Sequence, residues 1–294
     1  MLYENMRHHY VPQFLLRAWA NGSLDGKVED IRLDLNGFPS SRRAPKSTGY
    51  KDDLYALSKP VVAGMKRHDI EKIFLMQVDN LAARAHQKLV EHGLRSLTNS
   101  ERSDWVRFLM SLRVRQPDIV QKLKIESEEQ LTKTLAQQPE EYDVISENGD
   151  PPTLVEWTEQ QSPGHIENFG LLFFHEIASN PEVGDKIFKM KWWLWDFTNV
   201  SFDLLLGDHP CVFTKGIDDP NLIIALPISP KKAFMATNSE GVAATIRKQV
   251  PKQLAMRLNE SSLNQARARI YARNTSPKRF IQNRAHFRSE VKIC

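Results

Sequence analysis

Cysteine is almost missing from this chain: 294 residues carry two, Cys211 and Cys294. Such a pair supplies neither a disulfide framework nor a four-ligand zinc site, and a reducing, cytoplasmic setting is the economical expectation. Long apolar runs are missing as well. No stretch approaches the roughly 20 residues that cross a bilayer, and the start lacks the basic-then-apolar order of a secretory leader, so no membrane is expected among the partners. There is no Walker loop, dinucleotide-binding glycine fingerprint, nucleophile elbow or His-Glu-x-x-His helix, which removes the chemistry each of those motifs serves. Nothing repeats at a fixed period, which speaks against a solenoid.

What is present is ordinary globular material, 41% hydrophobic and 26% charged. A chain of this length buries a substantial core and forms one domain or two interlocked lobes. The patterning divides into a mainly helical 1–185 and an α+β 186–294. The net charge of +4 conceals an asymmetry. From Asp118 to Asp185 fifteen acids stand against three lysines, a local charge near −12. From Gly241 to Cys294 twelve Lys and Arg stand against two acids, near +10. One reading is two solvated faces that partly neutralise each other; the other is a basic surface for phosphate or nucleic acid. Aromatic residues in the basic stretch are few (Tyr271, Phe280 and Phe287), so stacking on single-stranded bases gains little support.

Lys27 to Leu35 alternates before Asn36-Gly37, which reads as a hairpin, and Asp53 to Leu57 reads as a short extended piece. The period then changes. Ile70, Ile73, Phe74, Val78, Leu81, Ala85 and Leu89 mark a long amphipathic helix ending near Gly93. Thr98 and Glu101 fit a capping box for a second helix whose apolar face carries Trp105, Phe108, Leu109 and Leu112, ended or kinked at Pro117. A polar helix is expected over 118–138, a loop over 137–152 and a helix over 165–178, stopped at Asn180-Pro181. Strands are expected at 191–198, with Trp193, Trp195 and Phe197 on one face, and at 202–206, 221–227, 232–237 and 269–272. Helices over 251–266 and 277–286 complete the pattern. The sum is an α+β fold: a helical middle segment packed with a mixed, largely antiparallel sheet.

The opening Arg7-His8-His9-Tyr10-Val11-Pro12-Gln13-Phe14-Leu15-Leu16 combines two imidazoles, a rigid proline and an apolar run, and reads as a segment docked into the body of the protein. Together with Arg17-Ala18-Trp19-Ala20 it resembles the opening of a bacterial family known as domain of unknown function four-two-three-eight. Trp19 stands where that family usually has Phe. Further similar stretches follow in order: Ile70-Glu71-Lys72 with Asp79, Arg113-x-Arg115-Gln-Pro117, Gly207-Asp208-His209-Pro210, Leu226-Pro-Ile-Ser-Pro230, and Leu263-Asn264, with Leu258-Asn259 competing for the last role. Gly207 and His209 depart from the family's Ser-Asp-Asn-Pro turn. The resemblance spans most of the chain and implies no established activity.

Three residues are candidate catalytic groups: His9, Glu71 and Asp208. His9, beside the apolar Tyr-Val-Pro, is a candidate base or metal ligand, unless one ring of the His8-His9 pair satisfies a buried carbonyl while the other faces solvent. Asp208 follows a Leu-Leu-Leu strand in a turn stiffened by Pro210, either at a ligand-facing sheet edge or as an Asx turn. Glu71 and Asp79 fall eight residues apart on one expected helix, about 12 Å, too far to share one metal. His9 and Asp208 are the candidate metal ligands, for a divalent ion such as Mg or Mn. Gln13, Arg107, Arg113, His209 and Asn264 are candidate binding residues, the arginines as phosphate or carboxylate clamps or as partners of the acidic middle segment. Trp192, Trp193 and Trp195 read as core or as a stacking shelf. Glu290-Val-Lys292 matches the Glu-x-Lys end of restriction-type nuclease sites, with no matching upstream acid. The expectation is a metal-dependent phosphodiester hydrolase, nuclease-like, acting on nucleic acid; a non-catalytic module binding nucleic acid or protein is the alternative.

Overall fold

The structure, a computed structural model, describes residues 5–58 and 64–285. The Glu290-Val-Lys292 motif therefore lies outside the described residues. The short strand β1 (Arg7–His9) leads into α1 (Gln13–Ala20), which buries Leu15, Leu16 and Trp19 on one face. Strands β2 (Val28–Arg32) and β3 (Ser40–Arg43) form the hairpin expected around Asn36-Gly37, and β4 (Tyr50–Asp52) pairs with β1. Residues 53–57 are not a strand: Asp53 takes a positive φ of 55° and turns the chain.

The long helix begins as one π-helical stretch, Ile70–Leu75, and continues as α2 (Met76–Glu91). Its successor α3 (Asn99–Val114) starts with the capping box: Glu101 N–H donates to Thr98 Oγ1 at 3.2 Å, and Thr98 N–H donates to a Glu101 carboxylate oxygen at 2.9 Å. α3 stops at Val114, as expected just before Pro117, which holds Gln116 extended. The proline opens α4 (Pro117–Ala136) at a position where its missing N–H costs no hydrogen bond. The expected 137–152 loop contains a further helix, α5 (Pro139–Ile145), again started by proline. Next come α6 (Leu154–Gln161), α7 (His165–Leu172), α8 (Phe174–Ala178) and α9 (Pro181–Lys189). The single helix expected over 165–178 is thus two, broken at Phe173. Thr153 and Asn180 cap α6 and α9 through their side chains.

The last third contributes β5 (Lys191–Asp196), β6 (Leu206–Gly207), β7 (Val212–Phe213), β8 (Ile223–Ser229) and β9 (Lys232–Thr237). Helices α10 (Glu240–Arg247) and α11 (Pro251–Gln265), strand β10 (Arg269–Ala272) and helix α12 (Lys278–Ala285) follow. Two four-stranded sheets result, ordered β3-β2-β10-β6 and β5-β9-β8-β7, with antiparallel neighbours throughout. The class is α+β. No helix among the described residues is long and apolar enough to cross a membrane.

The chain divides into two compact units that do not follow the 185/186 boundary suggested by composition. The first comprises the described parts of Met1–His8 and Lys51–Gln77 together with Val114–Ser179; the second comprises His9–Tyr50, Val78–Arg113 and the described part of Asn180–Cys294. The chain crosses between them five times. The first unit is mostly helical. There α4 runs against α7 so closely that a Cβ on Gly170 would stand 2.8 Å from the Leu123 carbonyl oxygen. Tyr55, Phe74 and Phe174 join rings at 5.5 to 6.3 Å in the same unit.

The second unit holds both four-stranded sheets. In the first of them, Ile31 opposes Ile270 and Asp30 opposes Tyr271, so the two sets point to opposite faces. Ile31 and Ile270 pack with Leu205, Leu263, Ala266 and Ile281 into an apolar core. The other sheet is lined by rings: Trp105 meets Phe108 and Phe234, and Trp192 meets Phe234, at 5.1 to 5.7 Å. Trp19 ties α1 in by donating its indole N–H to the Leu204 carbonyl at 2.8 Å.

Candidate functional site

Asp208 sits at the end of β6, buried in the second unit. Both of its oxygens are engaged by backbone. Oδ1 accepts the Arg267 N–H at 2.7 Å, and Oδ2 accepts those of Ala268 and Arg269 at 2.7 and 2.9 Å. The carboxylate thus folds the three residues that enter β10 around itself. Its bonds run to that distant segment, in place of the local Asx turn weighed from the sequence. Gln265 reinforces the same corner by donating to the His209 and Cys211 carbonyls at 3.0 and 2.6 Å.

The opening segment reaches this corner through Tyr10, the neighbour of the expected His9. Burial pushes the Tyr10 phenol up to about 12, with the Asp208 and Asp30 carboxylates adding to the shift and Arg269 opposing it. Asp30 is buried on β2 and its Oδ2 accepts from Thr48 Oγ1 at 2.7 Å and from Arg269 Nη1 at 2.5 Å, while Oδ1 is buried without a hydrogen-bond partner. Thr48 in turn contacts the Tyr271 hydroxyl at 3.4 Å. Burial also holds the Tyr271 phenol well above its usual range. Two neutral phenols, one guanidinium and two carboxylates therefore interlock around the sheet face opposite the apolar core. Neither phenol is poised to ionise, and the arrangement suits ordering better than proton transfer.

His9 is half-buried in the same unit, its ring 5.6 Å from that of Tyr50. The buried member of the pair is His8, in the first unit. Its Nδ1 accepts the Tyr55 backbone N–H at 2.8 Å, and its Nε2 lies 3.2 Å from His68 Nδ1. His8, Asp53 and His68 each offer one ligand atom within 4.8 Å of the others, the one such histidine-carboxylate group among the described residues. Asp53 Oδ1 accepts the Met6 N–H at 3.0 Å and Oδ2 accepts from Arg67 at 3.1 Å. Burial drives the His8 pKa down to about 4, helped by His68.

The donor set fits a metal poorly. A backbone N–H on Nδ1 fixes the neutral His8 with its proton on Nε2, which donates to His68. A metal-bound imidazole normally donates from its other nitrogen. Placing an ion on Nε2 would move that proton to Nδ1, where it would face the Tyr55 N–H. With His8 committed in this way, two ligands remain, and Asp53 is already shared between a backbone N–H and a guanidinium.

Glu71 is buried in the π-helical turn of the first unit. Gln13 accepts from Arg17 at 3.4 Å. Arg107 is exposed and pairs with Asp104 at 3.6 Å, and Arg113 stacks 4.5 Å over Phe213. His209 is half-buried and Asn264 is exposed on α11. The asparagine with a defined task is Asn259, which donates to the Asp203 carbonyl at 3.0 Å and accepts the Leu205 N–H at 2.8 Å. Sequence reasoning passed over Tyr10, Asp30 and Arg269. In Val28-Glu29-Asp30-Ile31-Arg32 two adjacent acids interrupt the alternation, the local signal for the second of these.

No curated protein and no solved structure matches the chain. One family model, described as a protein of unknown function, matches residues 7–276, from the first strand to the start of the last helix. The span includes the docked opening and the Asp208 corner. The chain belongs to this family, DUF4238, for which no activity is established.

Proposed function

We propose that the protein is a non-catalytic module that binds nucleic acid through the exposed basic residues of α10, α11 and the turn between them. The observation that carries this reading is the state of Lys248 and Lys252. Both are exposed, and among the described residues neither forms an ion pair. Arg247 and Arg257 flank them; the first lies 3.9 Å from Glu240 and the second donates to Gln249 at 3.2 Å. Cations that hold no internal partner gain most from neutralising phosphates, since binding then releases condensed counterions. Retardation of labelled single- and double-stranded DNA and RNA across a salt series tests it. Binding is expected to weaken steeply with salt, and replacing both lysines by glutamine is expected to reduce the slope of log K against log salt by about 2. Absence of binding at low ionic strength, or a double variant that binds like the parent, would remove the reading.

The second reading is the metal-dependent phosphodiester hydrolysis expected from the sequence, with Mg or Mn as cofactor. The proximity of His8, Asp53 and His68 is what speaks for it, and the Tyr55 N–H on His8 speaks against it. Cleavage of labelled nucleic acid that requires added Mn²⁺, ceases in chelator and is lost in His68→Ala would support it. No cleavage with any divalent ion would end it.

A further inference from the structure

A hollow of about 370 Å³ opens in the second unit at the edge of its apolar core. Its volume falls in the range of small-ligand sites. Leu205, Met256, Ala272 and Phe280 give it an apolar floor, and Arg273 and Arg284 stand among its polar lining. The two arginines differ in state. Arg284 is held on every side: its Nε donates to Glu260 at 2.7 Å, its guanidinium carbon lies 4.3 Å from the Phe280 ring centre, and Nη2 touches the Met256 sulfur at 3.5 Å. It forms a stiff wall whose charge is balanced.

Arg273 is under-used. Its nearest carboxylate oxygen, Asp203 Oδ2, is 3.5 Å from Nε, outside hydrogen-bond geometry, and that buried Nε has no hydrogen-bond partner. Asp203 is shared, because its other oxygen lies 3.1 Å from the Lys231 ammonium. The guanidinium is ion-paired with Asp203, which also lines the hollow, but its Nε makes no hydrogen bond, so donors remain for an incoming group. A fork of this kind recognises a phosphate or carboxylate, and the apolar floor accepts a flat ring.

We infer that this hollow binds a small organic anion: a planar, apolar ring system bearing one phosphate or carboxylate, with the anionic group on Arg273 and the ring against the apolar floor. Neither Lys248 nor Lys252 lines the hollow, and the inference does not rest on nucleic-acid binding. Ligand-observed NMR and calorimetry on the full chain, with 1-naphthyl phosphate and 1-naphthoate as probes, test it. At least one of the two is expected to bind at least tenfold more tightly than inorganic phosphate or uncharged 1-naphthol. The phosphate and carboxylate arms show which anion the fork prefers. Arg273→Gln is expected to lower affinity for the anionic probe tenfold or more while leaving 1-naphthol unchanged. Replacing Lys248 and Lys252 by glutamine is expected to leave both probes unaffected. Arg273→Lys keeps a cation beside Asp203, and so serves if the glutamine variant is unstable; loss of the fork is expected to weaken the anionic probe there too. Equal binding of anionic probe and 1-naphthol, or an Arg273 variant that binds the anion as well as the parent, would overturn the assignment.

Discussion

At the scale of single residues, the side chains that matter most here hold backbone in place. Asp208 engages three N–H groups at 2.7 to 2.9 Å, so Asp208→Asn would leave one carbonyl oxygen to serve donors that two oxygens now satisfy. Loss of about 1–3 kcal/mol in denaturant unfolding is expected, with no change in the slope of the transition. His8 makes the acid side of the stability profile. Its folded pKa of about 4 lies below the ordinary histidine value of 6.5, so below pH 6.5 the unfolded chain takes up a proton that the folded chain refuses. The contribution is complete above pH 6.5 and is lost as the pH falls toward 4, up to roughly 3 kcal/mol. Burial likewise holds the His86 imidazole below its usual range, where it bonds the Ile228 carbonyl at 2.6 Å, and so steepens the same decline. Unfolding titrations at pH 7, 5.5 and 4.5 should show the loss, and His8→Ala should flatten part of it. An equally steep profile in that variant would contradict the assignment.

At the scale of elements, close approach decides more than propensity. Gly170 sits inside α7, where alanine would gain up to about 1 kcal/mol as a helix former. The added Cβ would stand 2.8 Å from the Leu123 carbonyl oxygen of α4, and backbone cannot move aside cheaply. Gly170→Ala is expected to destabilise by about 1–3 kcal/mol, read as a lower Tm. Elements were the most legible level of the sequence, because periodicity and caps are local. The Thr98–Glu101 box, the β2–β3 hairpin and the strands at 191–196, 232–237 and 269–272 all stand where spacing placed them. The break at Phe173 carries no comparable local signal, whereas the helix at 139–145 has one, Pro139 at its start followed by two acids. The residues of the polar cluster were harder to read. Asp30 and Arg269 lie 239 positions apart, and no spacing rule links them. His8 and His9 are adjacent and chemically alike; the backbone N–H of Tyr55, which distinguishes them, is a tertiary fact.

At the scale of the whole molecule, the two compact units are each assembled from separated stretches of chain. The second unit's sheet places β10 between β2 and β6, so its central strand is also the last to be made. A chain stopped after Asp185 would retain β2 and β3 without that partner. It is expected to lose cooperative melting by near-ultraviolet circular dichroism while keeping helical far-ultraviolet signal from the first unit. A sharp, parent-like transition in the truncated chain would show that the sheet is dispensable.

That order of assembly bears on synthesis. While the ribosome is still translating the middle of the message, the hairpin of β2 and β3 has no strand to receive it and must wait through more than half the chain's production. Until β10 emerges, the β2 edge it will pair with has no strand beside it, and unpaired edges of this kind are prone to pair with other chains.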